Sequence, residues 1–441
     1  MSQHRNRAEV SQRTGRLALR AVREFAFVPS IVVAAFIVLA VIAILADQTH
    51  LALFDGLRSL FGTVIGADAS TAALQSIATG LLTVTSITFS VLLLAVQQTA
   101  SNLSPVVFDQ FVRRRINQLL LGFFVGLSLF AYVVMVAVKD SMPPIVGAGI
   151  ATVLTVVGML LLLVLVYVTV DQMRPSNVVR QIHDRTLAAR DAQRPLRERT
   201  RRCAGSDQTV RATCHSVLTG YVTAIDLDRL EAALADAPDA EIRLEVQLGG
   251  GITYGDVIAT VADGDTATAE RLADAVSDSV VIDRRRDIDR DATTGVHELV
   301  NIAWTSGSTS KQSPEVALEG LDMLRDLASR WMADPQPDGP SEGTLAVVYR
   351  DDDLDQVMQA LFSLMVVAHE SHQHLTAARV LDAYRSLLGR AEPGLRDRML
   401  EDIERMQDLL EQLPSSGMLE KSRADLAAAV RSAGGRQRAG A

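Results

Sequence analysis

The sequence predicts an α-helical membrane protein with four transmembrane helices, followed by a cytosolic domain that is first α+β and then mostly helical. Three observations predict this. Of the 441 residues 48% are hydrophobic, and the apolar ones concentrate before residue 171. Four runs there, 27–46, 74–96, 119–138 and 145–170, reach the roughly 20 residues needed to cross a hydrocarbon layer of about 30 Å. Beyond them the texture changes to short β-like pieces and then to tandem amphipathic helices.

In chain order the expected divisions are a basic cytoplasmic arm at 1–26, a four-span domain at 27–171 and a helical stalk or linker at 172–208. A small α+β module at 209–292, a helical domain at 293–433 and a disordered tail at 434–441 follow. The arm carries Arg5, Arg7, Arg13, Arg16, Arg20 and Arg23 ahead of an apolar run too long for a signal peptide, with no small-residue cleavage site after it, so the run reads as a retained span. Arginines fall mainly in the arm, in the connection holding Arg113, Arg114 and Arg115, and after the fourth span. Basic residues stay on the cytoplasmic side, so both termini are expected there, in a cell (inner) membrane.

Between the first two spans Leu51, Phe54, Leu57, Phe61 and Ile65 recur at helical spacing, the pattern of an amphipathic helix on the outer surface. The second span carries Ser76, Thr79, Thr83, Ser86 and Ser90 at steps of three and four, with Gln97 near its inner end. That spacing lines five hydroxyls along one side of one helix. In lipid such a stripe needs a neighbouring helix or water beside it. It reads either as a packing seam or as the lining of a neutral pore in a homo-oligomer. No Asp, Glu, Lys, Arg or His lies within the four runs, so a proton relay or ion-coupled pump lacks its machinery.

After the second span, Ser104 and Pro105 suit a helix start, and Val107, Phe108, Phe111 and Val112 form an apolar stripe beside Arg113, Arg114 and Arg115. This reads as a cytoplasmic interfacial helix whose arginines contact lipid headgroups. In the α+β module strands are expected at 216–225, 241–248 and 257–261, with helices at 227–235 and 267–277. Further helices are expected at 296–304, 314–333, 354–388, 394–413 and 419–432.

The net charge of −9 belongs to the C-terminal half, which excludes nucleic acid as a partner on electrostatic grounds. Cys203 and Cys214, both on the expected cytoplasmic side, predict no structural disulfide and no zinc site. His369, His372 and His374 with Glu370 form the densest metal-like group; on a helix His369 and His372 share a face but His374 is turned away from both, and a solvated face is the better reading. Gly249, Gly250 and Gly251 lack the following Lys and Ser/Thr of a phosphate loop and read as a tight turn. Arg284, Arg285, Arg286 and Arg290 interleave with Asp283, Asp287, Asp289 and Asp291, as a solvated surface or subunit contact does. Ser306 and Ser308 lie in no nucleophile pattern, so no catalytic residue, metal or cofactor is expected.

Phe89, Ser90, Gln97, Ser101, Ser104, Pro105, Phe111, Asn117, Gln118 and Gly122 together resemble the pattern of bacterial predicted membrane proteins grouped as domain of unknown function 2254. The resemblance continues at Ser176 and Asn177, Gly220 and Tyr221, Ile225 and Asp226, Gly255 and Asp256, and 299–303. It departs at Arg286, Asp287, Arg290 and Asp291, and again at Ser308, Thr309, Gln312, Ser313 and Pro314. The resemblance implies a topology rather than an activity. The expected partners are the lipid bilayer and further copies of the chain, the expected role is a passive channel or channel-like transport component, and the alternative is a membrane-anchored scaffold or sensor that recruits a cytosolic protein.

Overall fold

The computed structural model describes residues 26–48, 52–64, 67–102, 114–137, 143–172, 174–204, 209–262, 265–308, 314–334 and 344–439. The arm up to residue 25 and the expected interfacial helix with Ser104, Pro105 and Arg113 lie outside them. The chain forms two compact units, Met1–Arg174 and Pro175–Ala441.

Four helices of the first unit are long and apolar enough to cross a membrane. They are α1 (Ala26–Gln48), α3 (Ala67–Asn102), α4 (Arg115–Val136) and α5 (Ile145–Gln172), and α2 (Ala52–Val64) is the shorter amphipathic helix between the first two. α4 is the most enclosed span, with Leu120, Phe124, Leu127, Phe130 and Val134 buried along it. Phe36 of α1 meets Phe123 of α4 edge to face, with centroids 5.4 Å apart. The same core takes in Leu74, Ala78 and Leu81 of α3 and Ala148 and Ala151 of α5.

One polar clamp fixes the ends of these helices. Asp47, at the end of α1, accepts from the Val146 N–H at 2.8 Å and the Gly147 N–H at 3.0 Å, satisfying donors that the first turn of α5 leaves orphaned. Arg58 of α2 returns the favour to α1, donating to the Ala46 carbonyl at 2.6 Å and the Asp47 carbonyl at 3.1 Å. Phe61 of α2 lies so close to α5 that a Cβ on Gly149 would fall 2.2 Å from its ring.

The second unit opens with α6 (Pro175–Ala192) and α7 (Arg194–Arg199). This segment was expected as a stalk, and the structure corrects that: Val178, Val179, Ile182, Thr186 and Ala189 are buried within the unit. Its apolar stripe is packed against the helices Ala292–Ser308 and Pro314–Trp331. Next come β1 (Val210–His215), β2 (Gly220–Ile225), α8 (Leu227–Leu234), β3 (Glu241–Leu244), β4 (Gly251–Ile252), β5 (Val257–Ala262), α9 (Thr266–Ser279) and β6 (Val280–Asp283). Asp226 and Asp265 cap α8 and α9 by accepting from the Arg229 and Thr268 N–H groups.

The strands form two sheets. One has the order β1-β5-β3-β7, antiparallel except for the parallel pairing of β3 with β7 (Val347–Val348), and the other has the antiparallel order β4-β2-β6. Val222, Ile242, Val261, Leu272 and Val276 lie at their shared core. The helices of the remainder are α10 (Ala292–Ser308), α11 (Pro314–Trp331), α12 (Asp353–Glu370), α13 (His374–Leu388), α14 (Pro393–Glu411) and α15 (Gly417–Ala439).

Two further expectations are corrected here. The helix expected at 354–388 is two helices, because His372 takes φ 53° and turns the chain between α12 and α13. The tail expected to be disordered from 434 is helical as far as Ala439, since Ala, Arg and Gln favour helix and each glycine costs only about 1 kcal/mol.

Candidate functional site

Ser76, Thr79, Thr83, Ser86, Ser90 and Gln97 are all exposed on α3. The opposite side of the helix, with Leu74, Ala78, Leu81, Leu92 and Val96, is buried. Counted at 3.6 residues per turn, the hydroxyls centre about 150° around the helix from that buried line. No described residue of the chain covers them. Thr83 donates its hydroxyl to the Thr79 carbonyl at 2.9 Å and Ser90 to the Ser86 carbonyl at 2.8 Å, so their protons are satisfied within the helix. Their lone pairs remain outward, and Gly80 on the same face has open space around it.

Of the candidate headgroup contacts, Arg114 is half-buried at the cap of α4 and Arg115 is exposed in its first turn. Among the described residues, no group of three or more His, Cys, Asp or Glu side chains converges as a metal requires. His369 instead meets the Leu409 carbonyl at 3.0 Å, His372 sits in the turn, and His374 begins α13. Gly249 turns the chain between β3 and β4 at φ 76°, a left-handed conformation, and a Cβ there would collide with the Asp291 carboxylate. Ser306 is buried, and Ser308 donates to the Thr305 carbonyl one turn back.

The structure corrects one end of the alternating Arg and Asp run. Arg284 and Arg285 are exposed, but Asp291 is buried and accepts from the Thr294 hydroxyl. It borders a polar network that the sequence did not disclose. Arg190 of α6 donates to Asp351 at 2.7 and 2.5 Å and to Asp353 at 2.8 Å, while its guanidinium lies 5.1 Å from the centre of the Trp331 ring. Thr293 donates to the other Asp353 oxygen at 2.9 Å. Burial, and then the Asp351 charge, push the Asp353 carboxyl up to about 6, with Arg190 pulling the other way. Burial likewise raises Asp291, although Thr294 opposes it. Nearby, His183 meets Asp326 at 2.9 Å, and Asp326 also accepts from Arg330 at 2.6 Å.

The fold thus defines a membrane protein with four candidate transmembrane helices and a large second unit of mixed α/β and helical structure. The chain belongs to the family described as Predicted membrane protein (DUF2254), whose model matches residues 22–386. No curated protein and no solved structure matches the chain.

Proposed function

We propose that the chain is a subunit of a homo-oligomeric, channel-like membrane protein in which the hydroxyl face of α3 lines a passive pathway. The observation that carries this reading is the outward exposure of Ser76, Thr79, Thr83, Ser86 and Ser90, opposite the side of α3 that packs into its own subunit. Lipid offers those lone pairs no donor, whereas water does. A lining without ionisable groups suits a neutral, uncoupled pathway. The distribution of arginines supports cytoplasmic termini, with Arg113, Arg114 and Arg115 at the inner mouth against headgroups.

Flux through purified protein in liposomes tests the reading. The parent conducts, and Thr83→Leu with Ser86→Leu abolishes the flux. A parent that passes no solute, or a variant that conducts unchanged, rules the channel out.

A second reading, a membrane-anchored scaffold or sensor, is favoured by the separate and extensive core of the second unit. It expects cross-linking of the full chain in cells to recover one specific partner through that unit. Recovery of none counts against it.

A further inference from the structure

Exposed apolar side chains gather at one end of the strands of the second unit. The loop from β1 to β2 presents Val217, 65% exposed, and Leu218, 40% exposed, and the loop from β4 to β5 presents Tyr254, 78% exposed. Single exposed apolar residues are common on a protein surface, whereas three on two joined loops form a patch. Hydrogen bonds join the loops. The Ser216 N–H donates to the Asp256 carbonyl at 2.8 Å, the Gly255 N–H to the Ser216 carbonyl at 2.8 Å, and the Tyr254 N–H to the Thr219 hydroxyl at 3.2 Å. The Leu218 N–H meets the Ser216 hydroxyl, and the Asp256 carboxylate accepts from the Thr253 N–H and hydroxyl. This network fixes the tip and satisfies its backbone donors internally, while the apolar side chains stay outward.

Size and charge narrow what covers this tip. Three side chains fall far short of the roughly 800 Å² per partner that a stable protein interface buries. A bilayer needs no complementary shape and takes up small apolar tips, with tyrosine suited to headgroup depth because its ring is apolar and its hydroxyl wet. The second unit begins at Pro175, directly after α5 ends at Gln172, so a bilayer lies within tether reach of it. β6 ends beside the tip: Asp283 pairs with Tyr221 and its carbonyl lies against Gly220, which brings Arg284 and Arg285 to the foot of the first loop. Both arginines are exposed, and neither forms an ion pair with a described residue. Arg286 lies over the Tyr221 ring at 4.9 Å. Of the acids at this end, Asp256 is held by Thr253, Asp283 by the Arg284 N–H, and Asp287 lies 3.9 Å from Arg290. Two exposed arginines without a partner beside an apolar tip complement anionic headgroups.

We propose that this tip dips into the headgroup layer of an anionic bilayer, with Val217, Leu218 and Tyr254 inserted and Arg284 and Arg285 against lipid phosphates. The contact is independent of any pathway along α3.

Full-length Cys203→Ser protein with Val217→Cys is labelled with a thiol-reactive fluorophore, while Cys214 is buried and stays unlabelled. In liposomes of phosphatidylcholine and phosphatidylglycerol the label is expected to be quenched by a lipid carrying a nitroxide near its headgroup. Leu218→Ser with Tyr254→Ser, checked for an unchanged melting profile, lowers that quenching by about twofold or more, because the inserted apolar area shrinks. Arg284→Gln with Arg285→Gln lowers it in the same liposomes, by removing the attraction to phosphatidylglycerol. Should the first pair not fold, Tyr254→Ser alone replaces it, with a smaller decrease. No quenching from the lipid, or quenching unchanged in both folded variants, overturns the proposal. A label shielded from aqueous iodide yet not quenched from the lipid also overturns it, since protein then covers the tip.

Discussion

Arg190 and Asp353 meet at 2.8 Å in the interior of the second unit, 163 residues apart in the chain, with Asp351 on the same guanidinium. One cation therefore serves two carboxylates, and the pairing ties α6 to the start of α12. Removing the cation leaves Asp353 buried without its counter-charge. Arg190→Met is expected to destabilise the second unit by about 3–5 kcal/mol. Denaturant unfolding of the purified protein, followed by circular dichroism, checks this. Asp353→Asn keeps an acceptor for Thr293 and removes the surplus charge, so its loss is expected to be clearly smaller.

The same surplus makes stability depend on pH. Asp353 is held up at about 6 in the folded chain, above its ordinary value of 3.8. Between those values the native state keeps a proton that the unfolded chain has released, so stability falls as pH rises through this window. Asp291, also raised by burial, acts in the same direction. The carboxyl of Asp326 is pushed up by burial but held below the usual range by Arg330 and His183, so its opposing effect lies lower, near and below pH 4. His297, held below its ordinary value by burial and then by the Arg286 charge, acts in the opposite direction below pH 6.5. The Asp353 contribution is therefore read as a difference: melting temperature is expected to rise more, or fall less, from pH 7 to pH 5 in the parent than in Asp353→Asn. A profile that Asp353→Asn leaves unchanged over that interval contradicts the assignment.

Helices α6 and α10 touch where Thr186 faces Gly295, and a Cβ on that glycine would fall 1.8 Å from the Thr186 hydroxyl oxygen. Gly295→Ala forces the helices apart and is expected to cost about 1–3 kcal/mol. Adding Thr186→Ala removes the hydroxyl and recovers part of the loss. Thermal unfolding of the two single variants and the double variant measures the coupling.

In the first unit Asp47 holds the first turn of α5 through the Val146 and Gly147 N–H groups. Asp47→Ala is expected to cost about 1–2 kcal/mol, and Asp47→Asn less, because one amide oxygen can still accept. Reversible unfolding in mixed micelles reads the difference.

The membrane helices were legible because roughly 20 apolar residues in succession have few other uses, and the helices after residue 292 because their apolar residues keep a 3.6 period. The pattern weakened where partners are remote. β7 is two residues long and pairs with β3 about a hundred positions upstream, so no local alternation marks it. The turn at His372 contains neither Gly nor Pro, and only tertiary packing imposes its positive φ. Asp291 ends a run of alternating charges that reads as solvated, yet it lies under Gly249. The hydroxyl spacing on α3 was plain in the sequence, but its direction was not, because leucines and valines occur on both sides of that helix. Arg190, Asp351 and Asp353 sit in unremarkable polar stretches, and nothing short of the fold brings them together.

In the proposed channel the hydroxyl face of α3 borders water within an assembled protein. Single cysteines placed from residue 74 to 97, in a background lacking Cys203 and Cys214, can be exposed to a charged thiol reagent in proteoliposomes. Reaction is expected at positions 76, 79, 83, 86 and 90, with protection at the buried positions 78, 81 and 92 and at the flanking positions 82, 84 and 91. Uniform protection across the span would contradict the claim and return the stripe to a dry seam or a lipid-facing surface.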